Sequence, residues 1–215
     1  MIPKVDKEYE GAKVNTALHE FGHSIDYGPV KGIQISREPI SSQNVALQNV
    51  AQTKITESDV GNDVWKIIGN YHEEIDKVIT EIDAKYQSQF DALEAKADSI
   101  PFSKYSSQWN AIERKKDEEK DLAKRNASGA GMDGFEDIYD ALSHGSFSHD
   151  GMLKYGHGVQ YYSQLEKRER ELTANYLSLS ITRPDLIEVL RKDQPELVKA
   201  MDSIVDELAS RENHE

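Results

Sequence analysis

The sequence contains no cysteine among its 215 residues. Disulfides, thiolate metal sites and cysteine nucleophiles are therefore excluded, and any metal must be held by histidine and carboxylate. Apolar residues are also scarce, at 37% against 30% charged, so the core is modest and the chain reads as one large domain or a compact domain carrying an insertion. Basic residues are outnumbered, 26 Lys plus Arg against 39 Asp plus Glu, for a formal charge of -13. That balance argues against nucleic acid as the main partner, because phosphate binding draws on a basic surface, though it leaves room for a local basic patch. No apolar run of signal-peptide length follows Met1, and none reaches about eighteen residues anywhere. These absences point to a soluble, cytoplasmic protein with no membrane partner.

What is present centres on Leu18-His19-Glu20-Phe21-Gly22-His23-Ser24-Ile25-Asp26. On a helix, residues four apart project from nearly the same angle one turn along, so His19 and His23 can offer their imidazoles to one metal ion. Glu20 sits beside the pair, where it can take a proton from a water on the metal. Val14, Leu18, Phe21 and Ile25 recur at helical spacing and predict a core-facing stripe, with His19, Glu20 and His23 on the rim of a cleft. Gly22 clears space beside the metal, and Asp26 is positioned to hold a ligand imidazole. The competing reading is a chance match on a solvated helix face.

The metal helix begins near Lys13, which leaves hardly any room before it for strands. The chain therefore reads as a fragment of a longer protein or as a reduced version of its fold. Tyr27 to Gly32 predicts a helix stop and turn, and Gly32-Ile33-Gln34-Ile35-Ser36 alternates as a short strand would. From Asp63 to Ala97, Trp65, Ile68, Tyr71, Ile75, Ile79, Ile82, Tyr86, Phe90, Leu93 and Ala97 form one apolar seam of about five heptads. A sparser helix follows over 106–124. Together they predict an antiparallel hairpin, a spacer or a partner-binding arm, whose 63–97 seam could instead self-associate between chains.

Asn126 to Gly134 reads as a loop, 135–142 as a short amphipathic helix, and 143–162 as a glycine- and histidine-rich ordered loop suited to a cleft wall. His144 and His149 read as loop histidines rather than ligands. A helix over 164–180 carries Leu165, Leu172, Tyr176 and Leu179 on one stripe and Glu171, Ala174, Asn175 and Ser178 on another. The second stripe offers Glu171 as the third metal ligand, with Asn175 supporting it; Glu169 is the competitor. Helices over 185–192 and 195–210 close the chain. The expected organisation is a first half-core over 1–60, an inserted hairpin over 61–128, and a second half-core with closing helices over 129–215.

His19-Glu20-Phe21-Gly22-His23, followed far downstream by Glu171-Leu172-Thr173-Ala174-Asn175, resembles the gluzincin zinc metallopeptidases, most of all the branch of the anthrax lethal factor catalytic domain. With Asp137 to Leu142 and Tyr155 to Gly158 between them, the motifs also resemble zincin-like domains encoded in phage and prophage head-protein regions. The resemblance spans roughly residues 13–28 and 135–180. It implies a mainly α, zincin-like core with little or no sheet, Zn2+ on His19, His23 and Glu171, Glu20 as general base, and a peptide or protein substrate. An oxyanion donor is also implied, with His157, Tyr162 and Tyr161 the candidates. The alternative it implies is a phage structural or head-assembly protein that binds metal without turnover. Virion association or export by a non-classical route then joins the cytoplasmic expectation.

Overall fold

The computed structural model describes residues 7–26, 39–128 and 131–212, and among these there is helix but no strand. The segment 32–36, expected as a strand, lies outside the described residues. Contacts divide the chain into two units, one comprising Met1–Ile68 and Ser128–Glu215 and the other Gly69–Ala127.

The first unit is built around one buried helix. Helix α1 spans Lys7–Asp26, α2 Val45–Gln52, and α3 opens at Asn62 and runs to Glu94. Helix α4 is Phe102–Ser128, α5 Met132–Leu142, α6 Ser146–His149, α7 Gly158–Tyr162, α8 Leu165–Thr182, α9 Pro184–Asp193 and α10 Pro195–Glu212. Both stripes of α8 are buried, the polar one included, as expected of a helix covered by neighbours on most sides. Helices α1, α2, α5 and α9 all pack on α8. Arg183 ends α8 and Pro184 starts α9, where a missing backbone N–H costs nothing.

Helix α1 does not bury the face that its apolar spacing predicts. Val14 and Phe21 are about half exposed, at 50% and 55%, whereas Gly22 and Asp26 are buried. The reason is close packing. A Cβ on Gly22 would stand 2.9 Å from the Cα of Ala174 on α8, so the two backbones meet through glycine and alanine, and the bulky residues are turned aside. Asp26 has a different role from the one expected. Its carboxylate accepts from the backbone N–H and hydroxyl of Ser41, at 2.7 and 2.6 Å, and its carbonyl accepts from Ile40 N–H at 2.7 Å. It therefore anchors the chain entering the 3-10 turn at Ser41–Gln43 rather than orienting a histidine.

The second unit is an antiparallel helical hairpin. Ile82, Tyr86 and Phe90 of α3 face Trp109, Ile112 and Ala123 of α4, with Phe90 and Trp109 ring centroids 4.4 Å apart. Lys85 bridges to Glu119, and Lys116 and Lys120 reach Asp83. Most of the predicted seam, from Ile68 to Leu93, is buried within the single chain. Helix α4 starts earlier and ends later than its sparse apolar pattern indicates, taking in residues 126–128 that composition marks as loop.

Candidate metal centre

Four elements bring the site together. Helix α1 supplies His19 and His23, α8 supplies Glu171 and Asn175, α5 supplies Asp137, and the 143–162 segment supplies His157, Tyr161 and Tyr162. The last segment is held by carboxylates rather than by a regular ladder. Glu136 accepts from the N–H groups of Lys154 and Tyr155 at 2.7 and 3.1 Å. Asp140 accepts from Ser148 N–H, Ser148 hydroxyl and Gly158 N–H. Gly145, at φ 80°, lies so close to the Gly158 carbonyl carbon that a Cβ would stand 2.2 Å from it. Only glycine meets both the left-handed backbone and that approach.

His19 Nε2, His23 Nε2 and Glu171 Oε2 form a triangle with sides of 3.1, 3.3 and 3.5 Å. Three ligands of a tetrahedral zinc at about 2.0–2.1 Å lie roughly 3.3–3.4 Å apart, so the triangle has the size of such a face. Glu171 is 4% exposed, yet its Oε2 is buried and makes no well-formed hydrogen bond. A buried carboxylate oxygen at ion-pair distance from two imidazoles, with no well-formed hydrogen bond, fits a cation shared among the three groups. These residues could hold a metal ion. Glu169 has no part in this arrangement; it lies beside Ser42 and Arg168, with burial raising its carboxyl. His144 Nε2 meets the Ala51 carbonyl at 3.0 Å, and His149 is exposed; neither belongs to a ligand group among the described residues.

A hydrogen-bond chain fixes the histidine tautomer. Asn175 donates its Nδ2–H to Asp137 Oδ2 at 2.9 Å. Asn175 Oδ1 is then turned to His19 Nδ1, also at 2.9 Å, so Nδ1 must carry the proton. In the neutral imidazole Nε2 then keeps its lone pair facing His23 and Glu171, the form a metal requires. Asp137 Oδ1 accepts from His157 Nδ1 at 2.9 Å, so one buried carboxylate organises both His19, through Asn175, and His157. Asp137 and Tyr161 are the site residues that sequence reasoning leaves unassigned in these roles. The acidic cluster on α5 is a visible signal, but nothing local says which acids accept from which distant groups.

Tyr161 donates its hydroxyl to Glu171 Oε1 at 2.6 Å. Tyr162, a candidate oxyanion donor, is fully buried with its hydroxyl 3.3 Å from His157 Nδ1. It therefore packs behind His157 and presents no donor to the opening. His157 is 45% exposed at the side chain, stacks on Tyr161 at 4.3 Å, and lines a cavity of about 240 Å3 with His19, Asp137, Asn175 and Tyr155. Glu20 is exposed on α1 and is not among that cavity's walls.

The electrostatics follow the geometry. Burial alone would raise the Glu171 carboxyl, but the two imidazoles and the Tyr161 hydroxyl outweigh it and hold the group well below the usual carboxylate range. Burial opposes charge on His19 as well; there Glu171 prevails and the imidazole is raised. His157 is raised chiefly by its hydrogen bond to Asp137. No helix of the described residues is long and apolar enough to cross a membrane. No protein-family model, curated protein or solved structure matches this chain.

Proposed function

We propose that the protein is a zinc-dependent peptidase related to the gluzincins. The observation that carries this reading is the triangle of His19 Nε2, His23 Nε2 and Glu171 Oε2, whose carboxylate corner is buried and makes no well-formed hydrogen bond. Two imidazoles and one carboxylate are the ligand set of catalytic rather than purely structural zinc. Zinc bound there would supply Lewis acidity and an open position for water or a carbonyl oxygen. The chain's own residues account for the rest. Asn175 keeps His19 in the ligating tautomer, and Tyr161 holds the far oxygen of Glu171. Glu20 takes a proton from the attacking water. His157, raised by Asp137 and bound to it through Nδ1, offers Nε2–H to the oxygen on which negative charge develops. The kinship itself rests on the paired motifs, His19 to His23 with Glu171 to Asn175.

Glu20→Gln tests the mechanism. The variant is expected to keep its metal and lose hydrolysis of a mixed peptide library; undiminished cleavage would remove Glu20 as the base. A second reading, a metal-binding phage structural protein without turnover, is favoured by one observation: the Glu20 side chain is exposed. Metal content with no cleavage in either the parent chain or the variant would select it.

A further inference from the structure

We propose that Tyr161 is a positioning residue that makes Glu171 a one-oxygen ligand and so keeps the fourth metal position open. The proposal rests on the metal reading above and adds to it how the third ligand is controlled.

The two oxygens of Glu171 have separate surroundings. Oε2 lies 3.3 Å from His19 Nε2 and 3.5 Å from His23 Nε2 and accepts no hydrogen bond. Oε1 accepts the Tyr161 hydroxyl at 2.6 Å, the short distance typical of O–H donation to a carboxylate. A carboxylate beside zinc can bind through one oxygen or two, and the second mode fills the position a substrate or water needs. A strong donor on Oε1 draws electron density from that oxygen and fixes the plane of the group, leaving Oε2 as the ligand atom.

The tyrosine is itself held in place. Its ring stacks on His157 at 4.3 Å with 24° between planes, meets Tyr162 edge-on at 5.3 Å, and carries the Lys167 ammonium 4.3 Å from its centroid. The hydroxyl is thus aimed by packing, and it is turned to the ligand carboxylate. Removing the hydroxyl while keeping the ring separates the two roles. Tyr161→Phe preserves the stacking surface and deletes only the donor. Tyr162→Phe deletes a neighbouring hydroxyl that lies beside His157 instead.

Cobalt(II) substitution reads the coordination number directly, since four-coordinate cobalt absorbs visible light several-fold more strongly than five-coordinate cobalt. The parent chain is expected to give strong four-coordinate bands. Tyr161→Phe should weaken them several-fold and lower zinc affinity by about tenfold, while Tyr162→Phe leaves the bands unchanged. A Tyr161→Phe spectrum identical to the parent's would overturn the proposal, as would the same spectral change in Tyr162→Phe. If the parent chain takes up neither cobalt nor zinc, the metal reading fails and this one with it.

Discussion

Replacing Gly22 by alanine should damage the metal site more than it damages the fold. The new Cβ would stand 2.9 Å from Ala174 Cα, 3.2 Å from its carbonyl oxygen and 3.4 Å from its Cβ. Comfortable carbon contacts are about 3.5–4.0 Å, and the nearest obstacle is backbone, so α1 and α8 must separate locally by roughly 0.6–1 Å. Overpacking of this kind costs about 1–3 kcal/mol. Alanine in a helix returns about 1 kcal/mol relative to glycine, which leaves a net loss of roughly 0–2 kcal/mol and a melting point lower by no more than about 8 °C. The ligand triangle has less room. His19 and His23 ride on α1 and Glu171 on α8, so the 3.3 and 3.5 Å sides would open to roughly 4 Å, beyond the ~3.3–3.4 Å of a tetrahedral face. Zinc affinity, measured by competition with a fluorescent chelator, should fall at least about tenfold. A variant that melts within these bounds and binds zinc as tightly as the parent would refute the claim that the Gly22 contact sets the ligand distances.

Asn175→Ala would leave His19 Nδ1–H without an acceptor and Asp137 Oδ2 without its amide donor, and zinc should bind about 10–100-fold more weakly in the same competition assay. Gly134→Ala, whose Cβ would lie 3.0 Å from Asn175 Oδ1, should shift affinity in the same direction by less. Zinc binding should also be acid-sensitive. Because Glu171 raises His19 above 6.5, the imidazole holds its proton to higher pH than a free histidine, and the metal must displace it. Affinity should therefore be retained above the raised value and fall as pH drops through it, in a titration from about pH 8 to about pH 5; a flat profile would contradict the assignment.

The grouping of His19, His23 and Glu171 is legible in the sequence because its geometry is local or nearly so. His19 and His23 need only a helix and a spacing of four, and Glu171 with Asn175 needs only a second helix with a polar stripe. The buried face of α1 is not legible, because apolar periodicity registers Val14 and Phe21 and gives no weight to Gly22, the residue that brings α1 against Ala174. Asp26 is misread for a related reason: a carboxylate one turn from a ligand looks like its support, and only the fold reveals that it is occupied by Ser41. The roles of Glu136, Asp137 and Asp140 depend on donors far along the chain or on a neighbouring helix, so no local pattern distinguishes them from charges on a solvated face.

The most direct test of the central claim is zinc per chain, by elemental analysis, in the parent protein and in Glu171→Gln. That variant keeps the shape of the side chain and replaces the anionic oxygen by a neutral amide. The account predicts about one zinc per chain in the parent and a sharp loss in the variant. A parent without zinc after incubation with it, or a variant that holds zinc as well as the parent, would contradict it.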